Sequence, residues 1–272
     1  MVTLPSQGGS ALPPAHQARD MAQSFGSDAE RYDRARPAYP PALISAVVAA
    51  SPGPDVLDVG IGTGIAARQF AAAGCRVLGV EVDERMAAWA RRRGQEVEVA
   101  AFEDWDAAGR TFDAVVAAQT WHWIDPAAGA AKAARVLRPG GRLAVFWNAE
   151  RPPEDLAAAF TRVYARLLPD SPLARRHAGG GDYGPLCDAA AQGMDTSGAF
   201  GEVQRWSFPW ERRYTRQEYL DLLPTSGVLA RLPEPERRPV LEAVGAAIDA
   251  AGGAFTMGYT AQVATAARTP AP

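Results

Sequence analysis

Residues 56–64 read VLDVGIGTG: one acid inside an apolar run, then glycine at every second position, so that Asp58, Gly60, Gly62 and Gly64 fall together. Glycines this dense let the backbone approach a ligand closely, because no Cβ stands in the way. Their spacing narrows the ligand. A dinucleotide turn reads G-x-G-x-x-G, with the pyrophosphate on a helix N-terminus. Here the third glycine comes one residue early, and no G-x-x-x-x-G-K-[ST] phosphate loop is present. An acid beside a pyrophosphate would be repulsive, so Asp58 suits a cationic ligand. Glu81 closes a second apolar run, RVLGVEV. A carboxylate there can accept two hydrogen bonds from ribose hydroxyls. Val82 and Met86 can flank an adenine with apolar surface. The residues ask for an adenosine carrying a positive group.

The elements that must position these residues alternate. Ser27-Asp-Ala-Glu30 fits a capping box opening a short helix that stops before Pro37, and Pro41 starts a second helix to about Ala50. Strand 56–59 leads through the glycine turn into a helix over 63–73, with Gly74 as its left-handed cap. Strand 76–82, helix 84–93, strand 96–101, strand 112–119, helix 127–137 and strand 142–148 follow. This rhythm of five strands predicts parallel βαβ units and a doubly wound α/β sheet, which two later strands extend to a mostly parallel, seven-stranded one. Beyond residue 150 the rhythm changes. Helices are expected over 154–168, from the capping box Thr215-Arg-Gln-Glu218 to about Leu223, and over 234–251; ARRHAGGGDYGPL (174–186) shows no periodicity. VQRWSFPW (203–210) puts Trp206, Phe208 and Trp210 on one strand face. The segment AFTMGYTAQVATA alternates Phe255, Met257, Tyr259, Ala261 and Val263, a period of two that predicts a C-terminal antiparallel strand. The expected organisation is a mobile tail over 1–24, then one unit over 25–272. Its cofactor core spans 52–148, and a substrate cover spans about 150–200 and 212–251, over the carboxyl edge of the sheet.

An adenosine with a sulfonium, an ammonium and one carboxylate is S-adenosylmethionine. DVGIGTG with its Glu81 partner resembles the first motif pair of class I S-adenosylmethionine-dependent methyltransferases. YDRARPAYP resembles the entry segment of their small-molecule branch, FDAVVAAQTWHWIDP the fourth-strand motif, and VLRPGGRLAVFWN the helix–turn–fifth-strand signature. TWHW and FPWERRYTRQEYLDLL resemble the type-11 group. The resemblance covers residues 25 to about 148. It implies that Asp58, Gly60, Gly62, Thr63 and Gly64 line the methionine part of the cofactor and that Glu81 holds the ribose. It places Phe102, Glu103 and Asp104 at the adenine and Gln119 near the methionine moiety, with Tyr32 and Arg36 closing over the cofactor and Arg36 facing its carboxylate. The implied reaction is methyl transfer to a small molecule. Two alternatives stay open: a non-methyl step on the same fold, such as a cyclisation, and a non-catalytic binder of the cofactor.

His122 sits just after the fourth strand, between Trp121 and Trp123. It reads either as a general base or as a structural histidine, and a base is optional for displacement at a sulfonium. Trp121, Trp123, Tyr183 and Trp210 are the expected acceptor-facing aromatics, within a wider set that includes Trp206, Phe208, Tyr214 and Tyr219. Gly179-Gly180-Gly181 reads as a mobile lid or an inert loop. His16, His122 and His177 have no metal-ligand spacing, so no metal is expected. The 272 residues carry a net charge of -3 with no basic stripe, which argues against nucleic acid. Lysine occurs once, Lys132, against 27 arginines, a bias read as genomic. The two cysteines, Cys75 and Cys187, are far apart. With the two cysteines in no disulfide-like or metal-like pattern, no apolar run of membrane length and no basic-then-apolar leader, a reduced cytoplasm is expected. The genomic bias suggests specialised metabolism, and the expected assembly is a monomer or homodimer.

Overall fold

A computed structural model describes residues 24–175 and 183–270. The tail expected over 1–24 lies outside them except for Ser24, as do His16, His177 and the three glycines 179–181. A 3₁₀ turn at Ser24–Asp28 leads into α1 (Ala29–Ala35) and α2 (Pro41–Ala49). Then follow β1 (Asp55–Val59), α3 (Ile65–Ala72), β2 (Arg76–Glu81), α4 (Glu84–Arg92), β3 (Glu96–Val99), β4 (Phe112–Ala118), α5 (Pro126–Val136) and β5 (Leu137–Arg151). The rest comprises α6 (Glu154–Leu167), α7 (Pro172–Arg175), α8 (Gly184–Ser197), β6 (Gln204–Thr215), α9 (Arg216–Leu222), α10 (Gly227–Arg231), α11 (Glu234–Ala250) and β7 (Ala254–Ala267). No helix among the described residues is long and apolar enough to cross a membrane.

The seven strands form one sheet in the order β3-β2-β1-β4-β5-β7-β6. The first five pair in parallel, and β7 runs antiparallel to both neighbours. Chain order reverses between β1 and β4, so their carboxyl ends splay apart and leave a crevice there. One sheet face buries Leu57, Val80, Val115, Leu143 and Val145 against α5 and α8. The other buries Val56, Val116 and Phe146 against Leu43, Val47 and Phe70. The period of two in β7 serves two cores: Phe255, Met257 and Tyr259 pack under α6, α9 and α11, while Ala261 and Val263 join the sheet core.

Local chemistry explains most helix starts. The Thr215 hydroxyl and Glu218 carboxylate cap α9 reciprocally, as expected. At α1 the cap is Asp28, not Ser27: the 3₁₀ turn delays the helix by one residue, and Asp28 accepts from the Arg31 N–H at 3.0 Å. Two further expectations change. The strand expected over 142–148 runs from Leu137 to Arg151, because β7 stays paired with it as far as Arg151 opposite Gly258. Residues 184–197 form a helix that packs on the sheet face beside α5 and not over the crevice. Its Cys187, Ala190 and Met194 join that core, and a Cβ on Gly193 would lie 2.3 Å from the Pro126 carbonyl oxygen. Cys75 and Cys187 are buried and neither is in a disulfide.

Candidate functional site

A cavity of about 460 Å³ opens at the crevice, within the range of small-molecule sites. Its floor is the glycine turn. Gly60 and Gly62 have φ of +68° and +57°, a region open to glycine and costly for residues with a Cβ. At Gly60 the space is also taken, since a Cβ would sit 2.1 Å from Thr120 Cγ2, while Thr120 Oγ1 donates to the Gly60 carbonyl at 3.2 Å. Gly60→Ala is therefore expected to cost about 2–5 kcal/mol in a denaturant titration. Gly74→Ala, equally left-handed at φ +90° but with nothing within 4 Å of a Cβ, should cost only about 1 kcal/mol. Equal losses would mean that close packing at Gly60 adds nothing.

Two carboxylates back the turn. Glu81 ends β2 on the cavity wall and accepts from Gly62 N–H at 2.8 Å through Oε2 and from Asp83 N–H at 2.9 Å through Oε1. Each oxygen keeps capacity for one more donor. Burial raises its pKa, against the pull of the backbone donors from Asp83 and Gly62. Asp58, 1% exposed, lies behind the wall, and neither of its oxygens has a hydrogen-bond partner. Burial, with Glu81 nearby, pushes its pKa up to about 7. Two buried acids with raised pKa values, Asp58 and Glu81, stand beside the glycine turn, an arrangement suited to a cation.

The remaining expected positions separate. Tyr32, Arg36, Val82, Met86, Phe102, Glu103 and Gln119 all lie on the wall. Gln119 is held at φ +58°, an uncommon state for a residue with a side chain. Its Oε1 accepts from Asn148 N–H at 3.2 Å, which leaves the amide NH₂ for the cavity. Arg36 lies over the Tyr32 ring, 5.0 Å from its centroid, and donates to the Thr225 carbonyl. It thereby ties the entry segment to the turn after α9. Arg34 assists by pairing with Asp221 at 2.8 Å. Thr63 and Gly64 do not line the cavity. Thr63 is buried and its carbonyl anchors Arg68 at 2.8 Å, and Gly64 is the left-handed N-cap of α3. Asp104 is exposed and also lies off the wall.

The aromatics sort by depth. Trp123 and Tyr183 line the cavity; Trp121 is buried in the sheet core next to Phe102. Trp210 stacks on Tyr259 at 4.5 Å and donates to Asn148 Oδ1 at 3.1 Å, so it buttresses the strand behind the wall. Tyr214 and Tyr219 are buried under the cover, and Trp206 carries Arg142 over its ring on the far side of the sheet. Trp147, Glu150, Phe160, Thr161 and Tyr164 line the cavity with no sequence cue setting them apart from core or surface. The roof is Leu222, Leu223 and residues 226–229.

His122 is on the wall, and Trp147 Nε1 donates to its Nδ1 at 3.2 Å. An indole N–H can only donate, so Nδ1 must be bare and the proton of the neutral ring sits on Nε2. Burial pushes the pKa of His122 down to about 4.

Sheet order, antiparallel β7 and a cavity at the switch point define a Rossmann-like seven-stranded fold with a small-molecule-sized site. A family model described as a methyltransferase domain matches residues 57–145. An uncharacterised methyltransferase of Mycobacterium tuberculosis, Rv3342, is 32% identical over 228 residues, 83% of this chain and 86% of that protein. The chain belongs to the class I S-adenosylmethionine-dependent methyltransferases. Among solved structures, a protein assigned as a type II methyltransferase from Anaeromyxobacter dehalogenans superposes with TM-score 0.67 at 24% identity, covering 87% of this chain and 99% of that one. The [4+2]-cyclase SpnF superposes with TM-score 0.53 at 18% identity, covering 97% and 100%. Both of these likenesses are of fold.

Proposed function

We propose that this protein binds S-adenosylmethionine at the glycine turn and directs its methyl group to a small-molecule acceptor by in-line displacement. The observation that carries the proposal is Asp58, a fully buried carboxylate with two partnerless oxygens beside Glu81. Once bound, the cofactor supplies a methyl group on a sulfonium. The protein's part is to hold and to exclude. Asp58 and Glu81 favour the positive charge, and Glu81 has one free acceptor site on each oxygen for ribose hydroxyls. Val82, Met86 and Phe102 give the adenine apolar surface, with Glu103 at its edge. Arg36 faces the cofactor carboxylate. The roof over α9 and α10 keeps water out. Holding the reacting groups in line supplies ~7–11 kcal/mol in well-aligned systems.

His122 acts here as a neutral hydrogen-bond donor through Nε2, not as the base. A base with a pKa of about 4 is too weak near neutral pH, and its other nitrogen already accepts from Trp147. In ¹⁵N spectra the imidazole should remain neutral down to about pH 4. A titration midpoint near 6.5 would restore the general-base role. Because the folded ring takes up its proton less readily than the unfolded one, this group lowers stability as pH falls from about 6.5 to about 4, by about 3 kcal/mol in all.

Calorimetry with S-adenosylmethionine, S-adenosylhomocysteine and NAD tests the cofactor, and binding of NAD alone would end the proposal. Incubation with isotopically labelled methyl donor and an acceptor panel separates methyl transfer from a cyclisation-type step or from simple binding, in neither of which label moves.

A further inference from the structure

Resting on the methyl-transfer reading, we infer that the acceptor is a neutral or cationic ring-bearing molecule whose polar group donates a hydrogen bond to Glu150, and that this carboxylate turns anionic acceptors away. The cavity has two ends. The donor end is the glycine turn with Glu81 and Glu103. The other end is walled by Trp123, Trp147, Phe160, Tyr164 and Tyr183 and roofed by leucines. Glu150 is the carboxylate of that second end among the described residues. It is half-buried and has neither an ion pair nor a hydrogen-bond partner there.

No described residue forms an ion pair with Glu150, although Arg212 and Arg36 act on the same Tyr214 hydroxyl that it does. Tyr214 and Tyr259 feel its charge: burial first, and then Glu150, raise the pKa of the Tyr259 hydroxyl. Those two hydroxyls bond to each other at 2.7 Å. The guanidinium on the wall, Arg36, is engaged by the Tyr32 ring and the Thr225 carbonyl. A pocket that is apolar except for a few groups uses those groups to orient its ligand. A partly desolvated carboxylate among aromatic rings gains from an ammonium, which the ring faces also attract, and from an O–H or N–H donor. The same carboxylate repels an anion, and specificity is often built from such a repulsive element.

The test uses three probes matched in ring and chain length: 2-(naphthalen-2-yl)ethylamine, 2-(naphthalen-2-yl)ethanol and 2-naphthylacetate. Their binding to the full chain is measured by calorimetry, with S-adenosylhomocysteine present and absent. The expected order is amine, then alcohol, with the acetate weaker than the amine by at least about tenfold. Glu150→Gln should remove most of that preference while leaving the melting temperature and S-adenosylhomocysteine affinity unchanged. Glu150→Lys should reverse it. The inference is overturned if the acetate binds as well as the amine, if the order survives in E150Q, or if no probe binds at millimolar concentration. Failure of S-adenosylhomocysteine to bind would instead count against the methyl-transfer reading, and the charge order measured without it would still judge Glu150.

Discussion

Asp58→Asn is expected to make the ligand-free protein more stable and the same variant a poorer binder of S-adenosylmethionine. In the folded chain burial, with help from Glu81, pushes the pKa of Asp58 from 3.8 up to about 7. Between those values the unfolded chain has lost the proton and the folded chain keeps it. Stability therefore falls as pH rises from about 3.8 to about 7, by about 1.4 kcal/mol per unit and about 4 kcal/mol in all. Asparagine has no charge to desolvate, so at pH 8 it should recover a large part of that amount. The full amount is an upper limit, because the amide inherits a site where neither carboxylate oxygen has a partner.

Wild type alone will not display this slope. His122 contributes one of opposite sign between about pH 4 and 6.5, so the two offset each other. The difference between wild type and D58N, from urea titrations at several pH values, isolates Asp58. A difference that does not grow with pH would mean that the carboxyl is not held protonated. On the ligand side, a cation arriving beside Asp58 should drive its proton off. Near pH 7 binding of S-adenosylmethionine to wild type should then release a fraction of a proton, seen as a dependence of calorimetric heat on buffer ionisation enthalpy, and D58N should release less. Both outcomes together would make the buried acid costly to the empty fold and useful to the loaded one, a trade found at functional sites.

Glu81→Ala should have the opposite effect on stability. It removes the acceptor of two backbone donors, Gly62 N–H and Asp83 N–H. A buried donor left without a partner costs ~1–3 kcal/mol, so about 2–5 kcal/mol is expected. The loss is tempered by partial relief of Asp58, whose pKa should drop once its negative neighbour is gone, while burial, the larger cause, still holds it up. The double variant D58N/E81A should therefore depart from the sum of the single effects, as groups sharing one field do. Donor affinity should fall about a hundredfold or more, the equivalent of two charge-assisted hydrogen bonds. Glu81→Gln, which can satisfy one of the two backbone donors, should lie between wild type and alanine in both measurements. If E81A binds S-adenosylmethionine as wild type does, the ribose role assigned to Glu81 fails.

Much of this was legible along the chain because it depends on neighbours in sequence. The left-handed glycines of the turn, the caps at Gly74 and Thr215, and the alternation along β7 are local rules of backbone and burial. Strand–helix alternation determined a parallel doubly wound sheet, and with it the cavity's place beyond β1 and β2. Asp58 and Glu81, two residues in that local grammar, were identifiable before any contact was known. The tertiary structure decided what needs partners distant in sequence. Trp147 lies 25 residues from His122, yet its N–H determines which imidazole nitrogen carries the proton. Tryptophans alike in type divide into wall, core and buttress only once the layers stack, since their chemistry suits all three places. Glu150 reached the cavity because β7 keeps pairing with β5 beyond Asn148, where the apolar run that marks the strand ends. A strand's length is set by its partner as much as by its own residues, and that partner lies more than a hundred residues further along the chain.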